Sequence, residues 1–300
     1  MKAIAVQGDS LIWEDTPDAA PGQDEVLVDV HAAGVNRADL LQAKGHYPPP
    51  PGASGILGLE IAGIDTTTGA RVCALVPGGA YAEKAAVSSA MLLPLPDHWT
   101  FAQGAAVPEA WLTAYVNLFL EGELQPGESV LIHAGASGVG LAAIQLARDA
   151  GAKVFVTVRS VEKAQACRDL GAEVVPPADA PPSNVILDCV GGSYLAANIK
   201  ALAPFGRLVN IGLLGGAKGE LDMSAVLRKR LKIVGSTLRS RPRAEHVQIT
   251  RGFRERFWDK LVRGNFKIVV DREFPIAQAS DAHRYMAMNR NTGKIVLVIK

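Results

Sequence analysis

From Lys2 to Val87 apolar residues gather in short runs, at Lys2–Val6, Val26–Ala33, Leu59–Ile64, Ala70–Leu75 and Tyr81–Val87, broken by Gly and Pro. Short apolar runs bounded by turn residues predict strands, and their spacing predicts a small barrel or sandwich. One short helix, Arg37–Ala43, is expected among them, and Pro48–Pro51 reads as a stiff extended loop.

Near Pro108 the grammar changes. Glu109–Leu120 is a helix candidate with Pro before it and Gly122 beyond it. Uniformly apolar runs then predict strands at Ser129–Ala134, Lys153–Val158, Glu173–Val175, Asn184–Val190, Gly206–Ile211 and Lys232–Leu238. Helices reaching Ala150 and spanning Val161–Leu170 fall between them, stopped by Gly151 and Gly171. Strands apolar throughout and separated by helices predict a parallel sheet covered on both faces. After Pro242 come a charged helix Ala244–Arg263, a strand Phe266–Val270, a helix Ala277–Met288 and a strand Lys294–Ile299 that should return to the barrel. At 300 residues the chain exceeds the usual reach of one core. Two domains are expected, residues 1–110 completed by 243–300, and residues 111–242.

The strongest chemical signal is the turn His133-Ala134-Gly135-Ala136-Ser137-Gly138-Val139-Gly140, with Ala143 following, between a strand and a helix. It satisfies the dinucleotide fingerprint: Gly138 for a sharp turn, Gly140 for close approach of a pyrophosphate, and Ala143 for helix–sheet packing. Exposed amides at the helix start favour phosphate. The next strand ends Thr157-Val158-Arg159-Ser160 with Lys163 a turn later, and has no carboxylate where a ribose 2′-OH would be held. Cations and a hydroxyl there suit a 2′-phosphate, which predicts NADPH. In the plainer reading, Ser160 caps the next helix and both cations are solvated.

A net charge of +1 excludes any global pull toward nucleic acid or membrane. The absence of a leader-like segment and three scattered cysteines, Cys73, Cys167 and Cys189, suggest the cytoplasm.

The order of these features resembles the zinc-independent quinone oxidoreductases of the medium-chain dehydrogenase/reductase superfamily, which include zeta-crystallin. The likeness runs through Ala33-Gly34-Val35-Asn36-Arg37-Ala38-Asp39, the Gly45–Ser54 loop with Tyr47, and Gly58-Leu59-Glu60. It continues through Pro108–Ala114, the Gly135–Gly140 turn, Leu187–Gly192 and Gly293–Leu297. Within the family the chain is most similar to the tumour-suppressor-inducible branch. The resemblance implies an α/β fold, a GroES-like β-barrel joined to a Rossmann sheet of strand order 3-2-1-4-5-6. It also implies NADPH, a quinone substrate, and a homodimer through the Lys232–Leu238 edge. The connection at Ile64–Arg71 is shorter than the family's, and Pro176–Ser183 replaces a longer stretch.

Zinc-binding members of the superfamily place a histidine where this chain has Leu59, so no metal is expected. His31, His46, His98 and His133 form no ligand spacing and are expected at the surface or satisfied in the core. By resemblance, Tyr47, Asn36 and Asp39 are the catalytic candidates. Asn36 and Asp39 also suit a helix start. The cofactor candidates are Tyr47, Thr113, Ala136, Ser137, Gly138, Val139, Gly140, Arg159, Ser160, Lys163, Gly212, Leu213 and Asn291. Thr113 could instead bond its own helix, and Asn291 could be a turn residue. Arg239-Ser240-Arg241 is expected as a solvated strand end. Two alternatives stand beside quinone reduction: an enone or 2-alkenal reductase, and a cofactor-binding protein with a crystallin-like or RNA-binding duty.

Overall fold

In the computed structural model, which describes residues 1–300, the short apolar runs of the first third contribute most of a seven-stranded sheet. Its order is Val270–Pro275, Lys294–Val298, Glu25–Val35, Glu60–Asp65, Arg71–Leu75 and Leu93–Pro94, with Lys84–Ser88 paired to the first half of Glu25–Val35. The terminal strand does return to the barrel, antiparallel to Ala32–Val35. Inward positions such as Val28, Val30, Ala33, Ile61, Tyr81 and Leu297 form one core. A further hairpin, Lys2–Gln7 with Ser10–Asp15, turns on Gly8 in the left-handed region (φ 59°). The connection at Asp65–Ala70 is short because Asp65 closes it, accepting from the Thr67 amide and the Thr68 hydroxyl. These strands belong to one compact unit, Met1–Leu112 with Arg239–Lys300.

The expected strand Phe266–Val270 is displaced to Val270–Pro275. Phe266 is buried against Trp111 and Phe257 instead, so the apolar run feeds an aromatic cluster and not a ladder.

The other unit, Thr113–Leu238, holds six parallel strands ordered Glu173–Val174, Lys153–Val156, Ser129–Ile132, Ser183–Asp188, Leu202–Asn210 and Lys232–Gly235. This is the doubly wound order 3-2-1-4-5-6. Val130, Leu131, Ile132, Val185 and Ile186 are buried, as the covered faces of a parallel sheet require. Helices Gly138–Asp149 and Val161–Asp169 end before Gly151 and Gly171, both at positive φ. Helix Leu195–Ala201 and helix Met223–Lys229, seven residues each, have no counterpart among the sequence expectations.

Gly34, on the Glu25–Val35 strand, has no room for a side chain: a Cβ there would stand 2.2 Å from Glu60 Oε1 and 2.5 Å from the Ala105 carbonyl. Backbone and a fixed carboxylate cannot give way cheaply. Gly34→Ala should therefore cost about 1–3 kcal/mol, read as a lower midpoint in chemical denaturation; an unchanged midpoint would show that Glu60 is free to move.

Candidate active site

The fingerprint turn links strand Ser129–Ile132 to helix Gly138–Asp149, as the pattern implied, and the turn itself also needs its glycines. The left-handed residue of the turn is Ala134 (φ 52°). A Cβ on Gly140 would collide with the turn itself, 2.4 Å from the Gly135 carbonyl and 2.6 Å from that of Ala134. A Cβ on Gly135 would come within 2.7 Å of Val156. The turn is thus compressed against its own backbone and the neighbouring strand. Ser137 caps the helix by accepting from the Gly140 amide at 3.1 Å. The first-turn amides of Gly138 and Val139 precede the first intrahelical bond, Leu141 N–H to Ser137 O, and Ala136 is buried beside them.

At the end of strand Lys153–Val156, Arg159 and Ser160 are exposed and Lys163 is half-buried. Ser160 does cap its helix, accepting from the Lys163 amide at 3.3 Å. Beneath the turn His133 is buried with both ring nitrogens bonded, to Thr157 Oγ1 at 2.9 Å and Asn198 Oδ1 at 2.7 Å. It is a satisfied core residue, as anticipated. Gly212 follows strand Leu202–Asn210 and Leu213 beyond it is exposed. Thr113 uses its carbonyl to hold the Asn117 amide at 2.7 Å.

The barrel unit carries a buried polar cluster in which only Asn36 and Asp39 were expected as site residues. Lys294 and Glu60 form an ion pair at 2.5 Å with side chains 6% and 0% exposed. The ammonium also donates to the Val35 carbonyl (3.0 Å) and to Asn36 Oδ1 (2.6 Å), which uses its three protons. Glu60 accepts from Asn36 Nδ2 (2.8 Å) and, on its other oxygen, from the Glu109 amide (2.8 Å). A donor-only ammonium and an acceptor-only carboxylate thus fix which way the Asn36 amide faces. One N–H of Asn36 Nδ2 is left beyond its bond to Glu60.

Asp39 accepts from the Asn36 amide at 2.7 Å and from the Tyr81 hydroxyl at 3.0 Å, both on Oδ2. Its Oδ1 has no partner, and the residue is fully buried. Burial raises its carboxyl to about 7. The Tyr81 hydroxyl also meets His283 Nε2 at 3.2 Å. With the Tyr81 proton directed at Asp39, that ring nitrogen must donate. Burial holds His283 down at about 4.

Arg239 overturns its reading as a solvated strand end: it is 5% exposed. Its Nε donates to the Pro77 carbonyl at 2.8 Å and Nη1 to the Tyr47 carbonyl at 3.3 Å. The guanidinium lies 5.4 Å from the centre of the half-buried Tyr47 ring. Glu109 is close enough in charge to perturb it, and burial with the Glu60 charge pushes the Glu109 carboxyl up to about 8. Asn291 closes its own turn, donating to the Gly293 carbonyl at 2.7 Å.

Tyr81, His283 and Arg239 were missed because nothing local marks a charged or hydroxylated residue as buried. Glu60, Glu109 and Lys294 did lie inside the segments that carried the resemblance. No group of three or more His, Cys, Asp or Glu is placed to hold a metal ion.

Residues 138–250 match the sequence profile of the zinc-binding dehydrogenases, and residues 22–97 that of the alcohol dehydrogenase GroES-like domain. A quinone oxidoreductase of Pseudomonas aeruginosa is 32% identical over 312 residues, covering 96% of this chain and 95% of that protein. A spectinabilin polyketide synthase protein of Streptomyces orinoci is 34% identical over 97% of this chain, which spans only 14% of it. Among solved structures, the quinone oxidoreductase of Thermus thermophilus, also determined with NADPH, has TM-score 0.86 and 31% identity over the whole of both chains. The CurK enoyl reductase has TM-score 0.85 and 26% identity, covering 100% of this chain and 99% of that one.

The Asp39 carboxyl is held above its unfolded value, near 3.8, to about 7. Its contribution to stability is then full below pH 4 and is lost as pH rises to 7. An Asp39→Asn variant has no such loss and keeps an amide oxygen for Tyr81 and the Asn36 amide. It should gain on the parent in chemical denaturation between pH 4.5 and pH 7.5; a constant difference would mean that Asp39 is ionised throughout.

Proposed function

The chain belongs to the zinc-independent quinone-oxidoreductase family, and from that premise we propose how its residues reduce a quinone-type acceptor with NADPH. It is an NADPH-dependent oxidoreductase acting on quinone-like substrates. The observation that carries the reading is the compressed turn at Ala134–Gly140, which sets a capped helix start against the sheet.

The residues present fit the dinucleotide. Ala136, Ser137, Gly138, Val139 and Gly140 offer backbone for the pyrophosphate. Arg159, Ser160 and Lys163 offer cations and a hydroxyl for the 2′-phosphate. Thr113, Gly212 and Leu213 would flank the nicotinamide, while Asn291, closing its own turn, rests on the resemblance alone. When bound, NADPH supplies the hydride.

On the barrel unit, Asn36 presents its remaining amide proton to an acceptor oxygen, held by Lys294 and Glu60. Tyr47 supplies a hydroxyl or an aromatic face. Asp39, fully buried, acts through Asn36 and the helix start as a positioning group. A quinone spreads incoming charge onto its own oxygens, so fixed hydrogen-bond donors answer the need for stabilisation. Likeness to an enoyl reductase favours a second reading, reduction of a conjugated carbon–carbon double bond.

The run of likeness through the Gly45–Ser54 loop supports placement near the tumour-suppressor-inducible branch. Three free thiols support a reducing, cytoplasmic setting, and no helix is long and apolar enough to cross a membrane. The net charge of +1 supports a small-molecule partner over nucleic acid. Strand Lys232–Gly235 is a sheet edge with Ile233 exposed, and Leu227, Met223 and Leu213 are exposed on the same unit. This supports a homodimer through that edge.

Purified protein should oxidise NADPH with 1,2-naphthoquinone faster than with small enones; the reverse order would move it to double-bond reduction. Replacing Arg159 and Lys163 together by Ala should raise KM for NADPH at least tenfold and leave NADH little changed; equal effects on both would remove them from the 2′-phosphate. Sedimentation should return twice the chain mass, and a monomer at micromolar concentration would exclude the edge pairing.

A further inference from the structure

Arg239 is the one cation of the barrel unit whose hydrogen bonding is incomplete inside protein. Its Nε and Nη1 are spent on the Pro77 and Tyr47 carbonyls, yet Nη2 is buried with no partner. A guanidinium cannot shed its charge, so an orphaned N–H there costs its full desolvation. Its two bonded nitrogens and the Tyr47 ring hold the plane, so the third nitrogen points in a set direction. Neighbouring Glu109 and Asp39 lie close enough to sense the charge, but neither bonds to it. Arg207, in the other unit, shows the satisfied case. It is also buried, and its three nitrogens meet Gly122 O, Glu123 O and both oxygens of Glu128.

We propose that Arg239 Nη2 binds the oxygen of the acceptor on which negative charge develops, beside Tyr47. The inference rests on the quinone reading and deepens it: the preferred acceptors carry an oxygen able to become an anion. In the step served, a hydride adds to a ring carbon of the quinone, the conjugated carbonyl π pair moves onto oxygen, and the resulting oxyanion takes a proton from water. Loss of the ring C–H proton with protonation of the other carbonyl oxygen restores the aromatic ring. NADPH is oxidised to NADP⁺ and the quinone is reduced to hydroquinone. Arg239 neither gains nor loses a proton; it lowers the energy of the oxyanion.

The test uses the full chain loaded with NADP⁺ and two naphthoquinones, read by calorimetry. One is 2-hydroxy-1,4-naphthoquinone, an oxyanion at neutral pH; the other is neutral 2-methyl-1,4-naphthoquinone. Arg239→Met should weaken the hydroxy compound at least tenfold and the methyl compound less than threefold. NADPH affinity, followed by nicotinamide fluorescence, should stay within twofold. A purely structural role would weaken both quinones alike, and equal losses, or none, overturn the proposal. Arg239→Lys keeps a cation but not the planar fork. It should retain a reduced preference for the oxyanion, and it serves if the Met variant does not fold; full discrimination in it would also overturn the proposal. Quinone-dependent oxidation of NADPH by the parent protein is measured alongside. Its presence with equal losses sinks only the role of Arg239, whereas its absence sinks the quinone reading and this inference with it.

Discussion

The ammonium of Lys294 lies inside the barrel unit against the carboxylate of Glu60, and the surrounding polar chemistry is organised around that pair. Taking two charges out of water costs several kcal/mol per ion, recovered only when the remaining protons and lone pairs are also matched. Here they are. The ammonium reaches Val35 and Asn36 as well as Glu60, and Glu60 reaches Asn36 and the amide of Glu109. The pair thereby ties together the end of one strand, the start of a helix, a second strand, the head of another helix and the terminal strand. Gly34 belongs to the same constraint, because only a missing Cβ lets the carboxylate lie where it does.

This arrangement explains why Asn36 is more than a helix cap. Its backbone opens the helix through Asp39, as the local pattern Asn-Arg-Ala-Asp suggested. Its side chain turns away from that helix and is clamped between an obligate donor and an obligate acceptor. An amide so held loses little further freedom when a ligand takes its remaining proton, which is the physical meaning of preorganisation.

How much was legible in advance followed the range of the interactions. The parallel sheet was readable because buried strands are apolar throughout, its order came with the family resemblance, and the fingerprint turn was readable because its residues are contiguous. Within that turn one constraint was not legible. A pattern shows that Gly140 must lack a side chain, but not that the carbonyl of Gly135 is itself in the way of one. Strand Phe266–Val270 was misplaced because aromatic residues suit a ladder and a cluster equally well, and only tertiary contacts decide between them. The buried charges were least legible. Periodicity treats Lys294, Arg239 and Glu60 as surface, and their burial depends on partners far away in the chain.

Arginines 207 and 239 show how such buried charges differ in what they do. Both lie almost wholly inside protein, and both hold backbone carbonyls. Arg207 adds a carboxylate gripped through two nitrogens, so its charge is neutralised and every nitrogen is occupied. Such a residue can only hold the fold together. Arg239 has carbonyls and an aromatic face, neither of which cancels its charge, and one nitrogen remains without a partner. Stability alone would favour completing it with a carboxylate, as at Glu128. A positive charge held incomplete and immobile beside Tyr47 is instead the arrangement that stabilises an oxyanion formed during a reaction, because its orientation cost was met when the chain folded.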